Sequence, residues 1–253
     1  MILAERGGMT VRLAGTEGDV RAAQRLRYTV FYEELAAKAD AQVFSSGRDE
    51  DRFDQHCDHL LVHHGDMLVG TYRLLRQEKA ERTGGFYSSH EFDLAPLLAK
   101  HASKSFLEVG RSCVAKDYRG KSVAELLFQG IWNYVRHHQL DVMLGCASLP
   151  GVNVEALKPE LAFLARAIPQ APEWKVEALP TRRIPMVSDV AFDSKAVLRN
   201  LPTLLKAYLR LGCTIGDGAV LDHQFNTTDV LVVLPVANIN PRYFKHYGPP
   251  TTQ

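Results

Sequence analysis

The stretch from Phe106 to Val135 constrains the fold more than any other part of the 253-residue chain. Residues 106–115 alternate well enough to predict a strand. They run directly into Asp117-Tyr118-Arg119-Gly120-Lys121-Ser122, a polar turn. Beyond it Val123, Leu126, Leu127, Gly130, Ile131, Tyr134 and Val135 recur on one side of a helix. Such a stripe has to be buried, and the strand feeding the helix supplies a sheet to bury it on.

The remaining elements agree with an α/β domain. Residues 11–14 predict a short first strand. Residues 17–37 predict a long helix carried by Val20, Ala23, Leu26, Val30, Phe31 and Leu35. Segments 59–64 and 67–76 predict a hairpin closed by Gly65-Asp66. A short helix is expected over 94–100 and a buried strand over 142–147, closed by Pro150-Gly151. Helices over 154–167 and 201–211 and strands over 218–225 and 229–235 complete the pattern. Pro169, Pro172, Pro180 and Pro185 break up the region between them. The expectation is a mixed central sheet flanked by helices, in one domain over residues 10–235. A helical insertion at about 150–198 precedes the last helix-strand-strand unit, and 236–253 form a C-terminal tail.

Composition removes several classes of function. The formal charge is only +1, against a surface-wide basic character for a nucleic-acid binder. The apolar run over residues 230–237 is interrupted by Pro235 and is far short of the roughly 20 residues that span a bilayer. The N-terminus reads Met1-Ile2-Leu3-Ala4-Glu5-Arg6 and turns charged before a signal-peptide core can form. Cys57, Cys113, Cys146 and Cys213 are far apart, as expected of buried thiols in a cytoplasmic protein. The pairs His63-His64 and His137-His138 diverge on either helix or strand, and no metal-binding set can be assembled.

Chemistry concentrates in Glu108-Val109-Gly110-Arg111-Ser112-Cys113-Val114 and the turn after it. Amide groups at the start of a helix cradle phosphate oxygens, and the helix dipole favours the anion. Residues 100–138 carry seven basic and three acidic side chains, a local excess of positive charge in a nearly neutral chain. A plain solvated helix start is the alternative for this turn.

Arg119-Gly120-Lys121-Ser122-Val123-Ala124 resembles the pyrophosphate loop of the GCN5-related N-acyltransferases, with Ser122 where their first glycine sits. That departure suits a single phosphate, such as the phosphopantetheine of acyl carrier protein, better than coenzyme A. Lys206-Ala207-Tyr208-Leu209-Arg210-Leu211-Gly212 resembles the tyrosine-bearing penultimate helix of that fold. A narrower resemblance spans residues 10–235. Arg25-Leu26-Arg27-Tyr28-Thr29-Val30-Phe31, Asp51-Arg52-Phe53-Asp54, Cys57-Asp58-His59-Leu60-Leu61-Val62 and Gly70-Thr71-Tyr72-Arg73-Leu74-Leu75 look like bacterial L-ornithine Nα-acyltransferases. So do Gly85-Phe86-Tyr87-Ser88, residues 108–114, Gly145-Cys146-Ala147-Ser148 and residues 216–230. Members are often labelled hemolysin-like and are similar to acyl-homoserine lactone synthases. Residues 154–195 match least.

The resemblance implies that a (3-hydroxy)fatty acyl group passes from acyl carrier protein to the α-amine of ornithine, giving lyso-ornithine lipid. No bound cofactor is implied; the carrier thioester is the donor substrate. Glu108 is the expected base, with an ion pair to Arg111 or Arg73 as its structural alternative. Arg111 and Tyr208 join it as catalytic candidates, Tyr208 as proton donor to the leaving thiolate or simply a buried hydrogen-bonded tyrosine. A strand amide next to Gly110 is the expected oxyanion donor.

Arg25, Arg27, Phe31, Asp51, Asp54, Arg73 and Ser148 are expected to bind substrate. Arg119, Gly120, Lys121 and Ser122 are expected to hold the phosphopantetheine. Arg25 and Arg27 diverge at i,i+2, so one faces the site and the other solvent or the acidic loop. Asp51 and Asp54 either pair with such an arginine, hold a substrate ammonium, or belong to a solvated loop. Phe31, Phe53, Phe86 and Tyr87 border an acyl tunnel or are plain core. Asp222 and His223, neighbours on a strand, cannot act together.

Two other functions stay open from sequence. One keeps the reaction but changes the acceptor to glycine, another amino acid, or the lactone-forming substrate. The other is a non-catalytic carrier-protein or lipid-binding module. Contact with the inner membrane, where the product belongs, fits the first reading, although no anchor is visible.

Overall fold

The computed structural model describes residues 2–120, 122–167, 171–186 and 189–243. Its strands are β1 (Ile2–Arg6), β2 (Met9–Leu13), β3 (Asp58–His64), β4 (Met67–Arg76), β5 (Phe92–Asp93) and β6 (Phe106–Val114). They continue with β7 (Val142–Pro150), β8 (Glu177–Ala178), β9 (Arg183–Ile184), β10 (Thr214–Ile215), β11 (Ala219–Asp222) and β12 (Thr227–Pro235). The α-helices are α1 (Glu17–Tyr28), α2 (Ala41–Ser46), α3 (Gln77–Ala80), α4 (Ala95–Lys100), α5 (Val123–His137), α6 (Val154–Ala167), α7 (Ser194–Asn200) and α8 (Thr203–Leu211). The chain forms two compact units. One comprises the residues up to Phe86 with Leu107–Leu140, the other Tyr87–Phe106 with the described residues from Asp141 on.

In the first unit β1-β2-β3-β4-β6 pair antiparallel in that order. The stripe of α5 is buried as its spacing requires, against the face of the sheet that carries Val11 and Leu60. The approach is close. A Cβ on Gly130 would stand 2.9 Å from Val11, and one on Gly70 of β4 would stand 2.7 Å from Val123. Side chains alternate along a strand, so His59 and Arg73 point to the opposite face, where α1 lies.

Thr16 caps α1 in a capping box with Asp19, whose carboxylate also holds Arg12 at 2.7 Å. The helix expected over 17–37 stops being α at Tyr28 and continues as a π-helix over Thr29–Glu34. Bulky and β-branched residues crowd this segment, and its wider turn brings Tyr32 inward, where the hydroxyl donates to Asp49 at 3.1 Å. The first strand, β1, was not expected. Its residues are mostly exposed and only Ile2 and Leu3 are strongly apolar, so it carries little periodic signal.

In the second unit β7-β12-β11-β9 pair antiparallel, with β10 also on β12. β12 and β7 stay in register from Thr227↔Pro150 to Pro235↔Val142, so β7 runs three residues beyond its expected end. α8 packs on this pair and ends at Gly212, whose φ of +100° is the left-handed cap that glycine supplies. The expected insertion contains α6, β8, β9 and the start of α7. β5 and β8 form a separate two-stranded ladder. Among the described residues, no helix is long and apolar enough to cross a membrane.

Candidate active site

The centre of β6 is irregular. Thr71 faces Cys113 and Arg73 faces Gly110, so Arg111 and Ser112 together oppose Tyr72. This is a β-bulge, and Arg111 takes a φ of +51°, which costs a non-glycine side chain energy and needs support from its surroundings. Glu108 lies on the regular side of the bulge, opposite Leu75 and diagonal to Arg73 on the same face. It is 5% exposed. The charges of Arg73, Asp54, Asp51 and Glu108 all bear on Cys57, which places these groups in one neighbourhood.

Three arginines and three aspartates meet there. Arg27 is 1% exposed; its Nε donates to Asp49 at 2.7 Å and its Nη2 to Asp54 at 2.8 Å. Arg73 donates to Asp51 at 2.8 Å and to Asp54 at 3.1 Å. Arg111 approaches more loosely, 3.4 Å from Asp49 and 3.5 Å from Asp51. Gln24, one helical turn before Arg27, donates to Asp54 at 3.0 Å. Burial alone would raise the Asp54 pKa, but the charges of Arg27 and Arg73 outweigh it and hold Asp54 below the usual carboxylate range. Asp49 is likewise depressed, with Arg111 and Arg27 overcoming its burial. The segment around Asp49 and Asp54 is therefore a buried counter-ion set rather than a solvated charged loop.

The structure divides the expected site residues. Arg27, Asp51, Asp54, Arg73 and Arg111 come together. Arg25 projects outward and is exposed, as the i,i+2 argument required of one arginine of the pair. Phe31 sits half-buried on the π-helix, while Phe53 and Phe86 are buried in the core and Arg73 lies over the Phe53 ring at 5.8 Å. Asp49, Gln24, Tyr32 and His59 complete the cluster without having been anticipated. The i,i+3 spacing of Gln24 and Arg27 was a usable signal, whereas a loop carboxylate declares no partner.

In the expected phosphate turn Gly120 has a φ of +77°, and Ser122 caps α5 through its carbonyl with no side-chain bond. Arg119 pairs with Glu34 and donates to the Val114 carbonyl at 3.1 Å. Lys121 lies outside the described residues. In the second unit Tyr208 is buried on α8, and Ser148 is exposed on β7 opposite Asp229. Asp222 caps the turn after β11, accepting from the Gln224 amide at 2.8 Å and the Phe225 amide at 3.0 Å.

The second unit also holds a group not assembled from sequence. One ligand-type atom from each of Glu91, Cys146 and Asp229 lies within 4.8 Å of the others. The Cys146 thiol donates to Glu91 at 3.3 Å, and Thr227 donates to Asp229 at 2.9 Å. Glu91 is 3% exposed; burial first, and then the Asp229 charge, push its pKa up to about 7. Cys146 and Cys57 are half-buried, Cys113 and Cys213 fully buried. Burial pushes the thiols of Cys57, Cys113 and Cys213 up to about 12, so none is a ready thiolate.

The description of the acetyltransferase (GNAT) domain matches residues 26–129. Among solved structures, an N-acyl amino acid synthase from uncultured soil microbes covers 93% of this chain and 97% of its own at a TM-score of 0.54 and 14% identity. A CoA-dependent acyl-homoserine lactone synthase covers 96% of this chain and 92% of its own at 0.52 and 14%. Similarity at that identity shows the fold: an acyltransferase sheet flanked by helices. Sequence relatives go further. The L-ornithine N(alpha)-acyltransferase of Agrobacterium fabrum is 48% identical over 96% of this chain and 86% of its own length. Those of Rhizobium meliloti and Rhodobacter capsulatus are 46% and 36% identical, over 98% and 94% of this chain and 86% and 93% of theirs. With identity at that level along nearly its whole length, the chain belongs to the L-ornithine N(alpha)-acyltransferase family.

Proposed function

We propose that the chain transfers a (3-hydroxy)fatty acyl group from acyl carrier protein to the α-amine of L-ornithine. The product is lyso-ornithine lipid. The observation that carries this is the 36–48% identity to relatives of that name over nearly the whole chain. The chemistry requires a neutral amine, attack on the thioester carbonyl and expulsion of the pantetheine thiolate. An α-amino group has a reference pKa of about 8 against about 10.4 for a side-chain amine, so it is the easier nitrogen to present neutral.

Glu108 takes the amine's proton, directly or through one water. A backbone amide at the bulge, left out of the ladder, donates to the oxyanion. Arg111 holds its carboxylates more loosely than Arg27 or Arg73 and exchanges them for the acceptor's carboxylate. Arg27, Arg73, Asp49, Asp51 and Asp54 keep it in place. Arg119, Gly120 and Ser122, with Lys121, receive the single phosphate of the carrier's prosthetic group. The reading implies a cytoplasmic reaction whose product leaves at the inner membrane surface.

The test supplies 3-hydroxyacyl carrier protein and single amino acids, and measures carrier thiol release. Release with ornithine, and little with acyl coenzyme A, is the expected result. Release with glycine but not ornithine overturns the acceptor. No release with any amine overturns the enzyme reading in favour of a binding module.

A further inference from the structure

His59 is 1% exposed and lies on β3 directly opposite Arg73 of β4. Its Nε2 is 3.1 Å from the main-chain carbonyl of Asp54 and 4.0 Å from that residue's carboxylate. A carbonyl oxygen only accepts, so Nε2 carries the proton and Nδ1 is the bare nitrogen. Nδ1 is buried and has no hydrogen-bond partner among the described residues. A leucine or phenylalanine would fill the same space without leaving an unsatisfied polar atom. What the imidazole adds is the single bond to Asp54.

That bond acts on the site through a short chain of contacts. Asp54 accepts from Arg27, Arg73 and Gln24. Arg73 also grips Asp51, and Asp51 is one of the two carboxylates that Arg111 approaches. Asp54 opens a single 3-10 turn, Asp54–His56, between α2 and β3, held in the main chain only by its amide to the Asp51 carbonyl at 3.2 Å and the Cys57 amide to its own carbonyl at 3.3 Å, so the His59 bond adds a third tie from the sheet. We propose that His59 is a positioning residue for acceptor binding: by pinning the Asp54 backbone it sets the Asp54–Arg73–Asp51 chain and thereby the place of Arg111.

The ring works as a neutral donor. Burial lowers its pKa, the Arg27 and Arg73 charges reinforce this, and the Asp54 carboxylate opposes it. Protonation would add a third cation beside two arginines. The inference rests on the reading that Arg111 takes the acceptor's carboxylate, so its test has to separate the two.

Steady-state kinetics with ornithine varied at saturating acyl carrier protein compare the parent, His59→Leu, His59→Gln and Arg111→Ala. Gln keeps an N–H near the position of Nε2; Leu does not. The expected result is a KM for ornithine raised about tenfold or more in His59→Leu with kcat changed less than about threefold, and His59→Gln close to the parent. An unchanged KM in His59→Leu, or equal damage in both variants, overturns the proposal. A raised KM in His59→Leu beside an unchanged one in Arg111→Ala moves the acceptor's carboxylate off Arg111 and overturns the relay from His59 to Arg111 with it. The opposite pattern overturns His59's role alone. Should His59→Leu fail to fold, 15N NMR of the parent decides: a neutral ring protonated at Nε2 at pH 6, with its resonances moved by ornithine, supports the proposal. A ring protonated at Nδ1, or one indifferent to ornithine, overturns it.

Discussion

Glu108 shares a strand face with Arg73 and is almost wholly buried, so a carboxylate there is costly unless it is used or neutralised. Glu108→Gln keeps the shape and removes the base. It should cut kcat by about a hundredfold or more while the melting temperature stays nearly unchanged. A steep loss of melting temperature with activity retained would make Glu108 structural. Glu91 supplies the clearest pH signature. Its folded pKa of about 7 lies above the ordinary 4.5, so the folded state binds the extra proton. The stability this gives is fully present below about pH 4.5 and is lost as pH rises through about 7, a change on the order of 3 kcal/mol. Denaturant titrations from pH 5 to 8.5 should show that decline, and Glu91→Gln should flatten it. The divergence of Arg25 and Arg27 was readable because helix geometry decides it locally. The partners of Arg27 were not, because Asp49 and Asp54 reach it through an irregular loop.

Among the elements, the contact between α5 and the sheet is the most exacting. Gly70→Ala would put a Cβ against Val123 at 2.7 Å, between a buried strand and a buried helix side chain. Overpacking of this kind costs about 1–3 kcal/mol, so the variant should melt several degrees lower, with kcat unchanged for the fraction that remains folded. A variant as stable as the parent would mean that α5 shifts freely on the sheet. The stripe of α5 and the hairpin of β3 and β4 were legible because period and turn chemistry agree. The π-helical end of α1 and the bulge at Arg111 were not. Both replace a regular hydrogen-bond pattern with one set by tertiary partners, Asp49 in the first case and the paired carboxylates in the second.

For the molecule as a whole, acid should be as damaging as alkali is to Glu91. Asp54 and Asp49 have pKa values below the ordinary range, so the stability they confer is present above about pH 4 and lost as pH falls through their folded values. Arg27→Met should shift that acid limb and destabilise the protein by roughly 3 kcal/mol, because it takes from two buried carboxylates the arginine they share and leaves only Arg73 and the looser Arg111 to balance them. Urea melts at pH 3.5 and pH 6 would register both effects. The order of the motifs carried the family assignment from sequence, since it depends on no single contact. The Glu91–Cys146–Asp229 group could not be read that way, because its members come from three distant segments.

The most direct measurement is the position of the acyl group on the product. Purified protein is incubated with 3-hydroxyacyl carrier protein and ornithine, and the product is fragmented by tandem mass spectrometry. Acylation of the α-nitrogen, lost in Glu108→Gln, is the predicted result. Acylation of the side-chain nitrogen, or an undiminished yield from Glu108→Gln, would contradict the account.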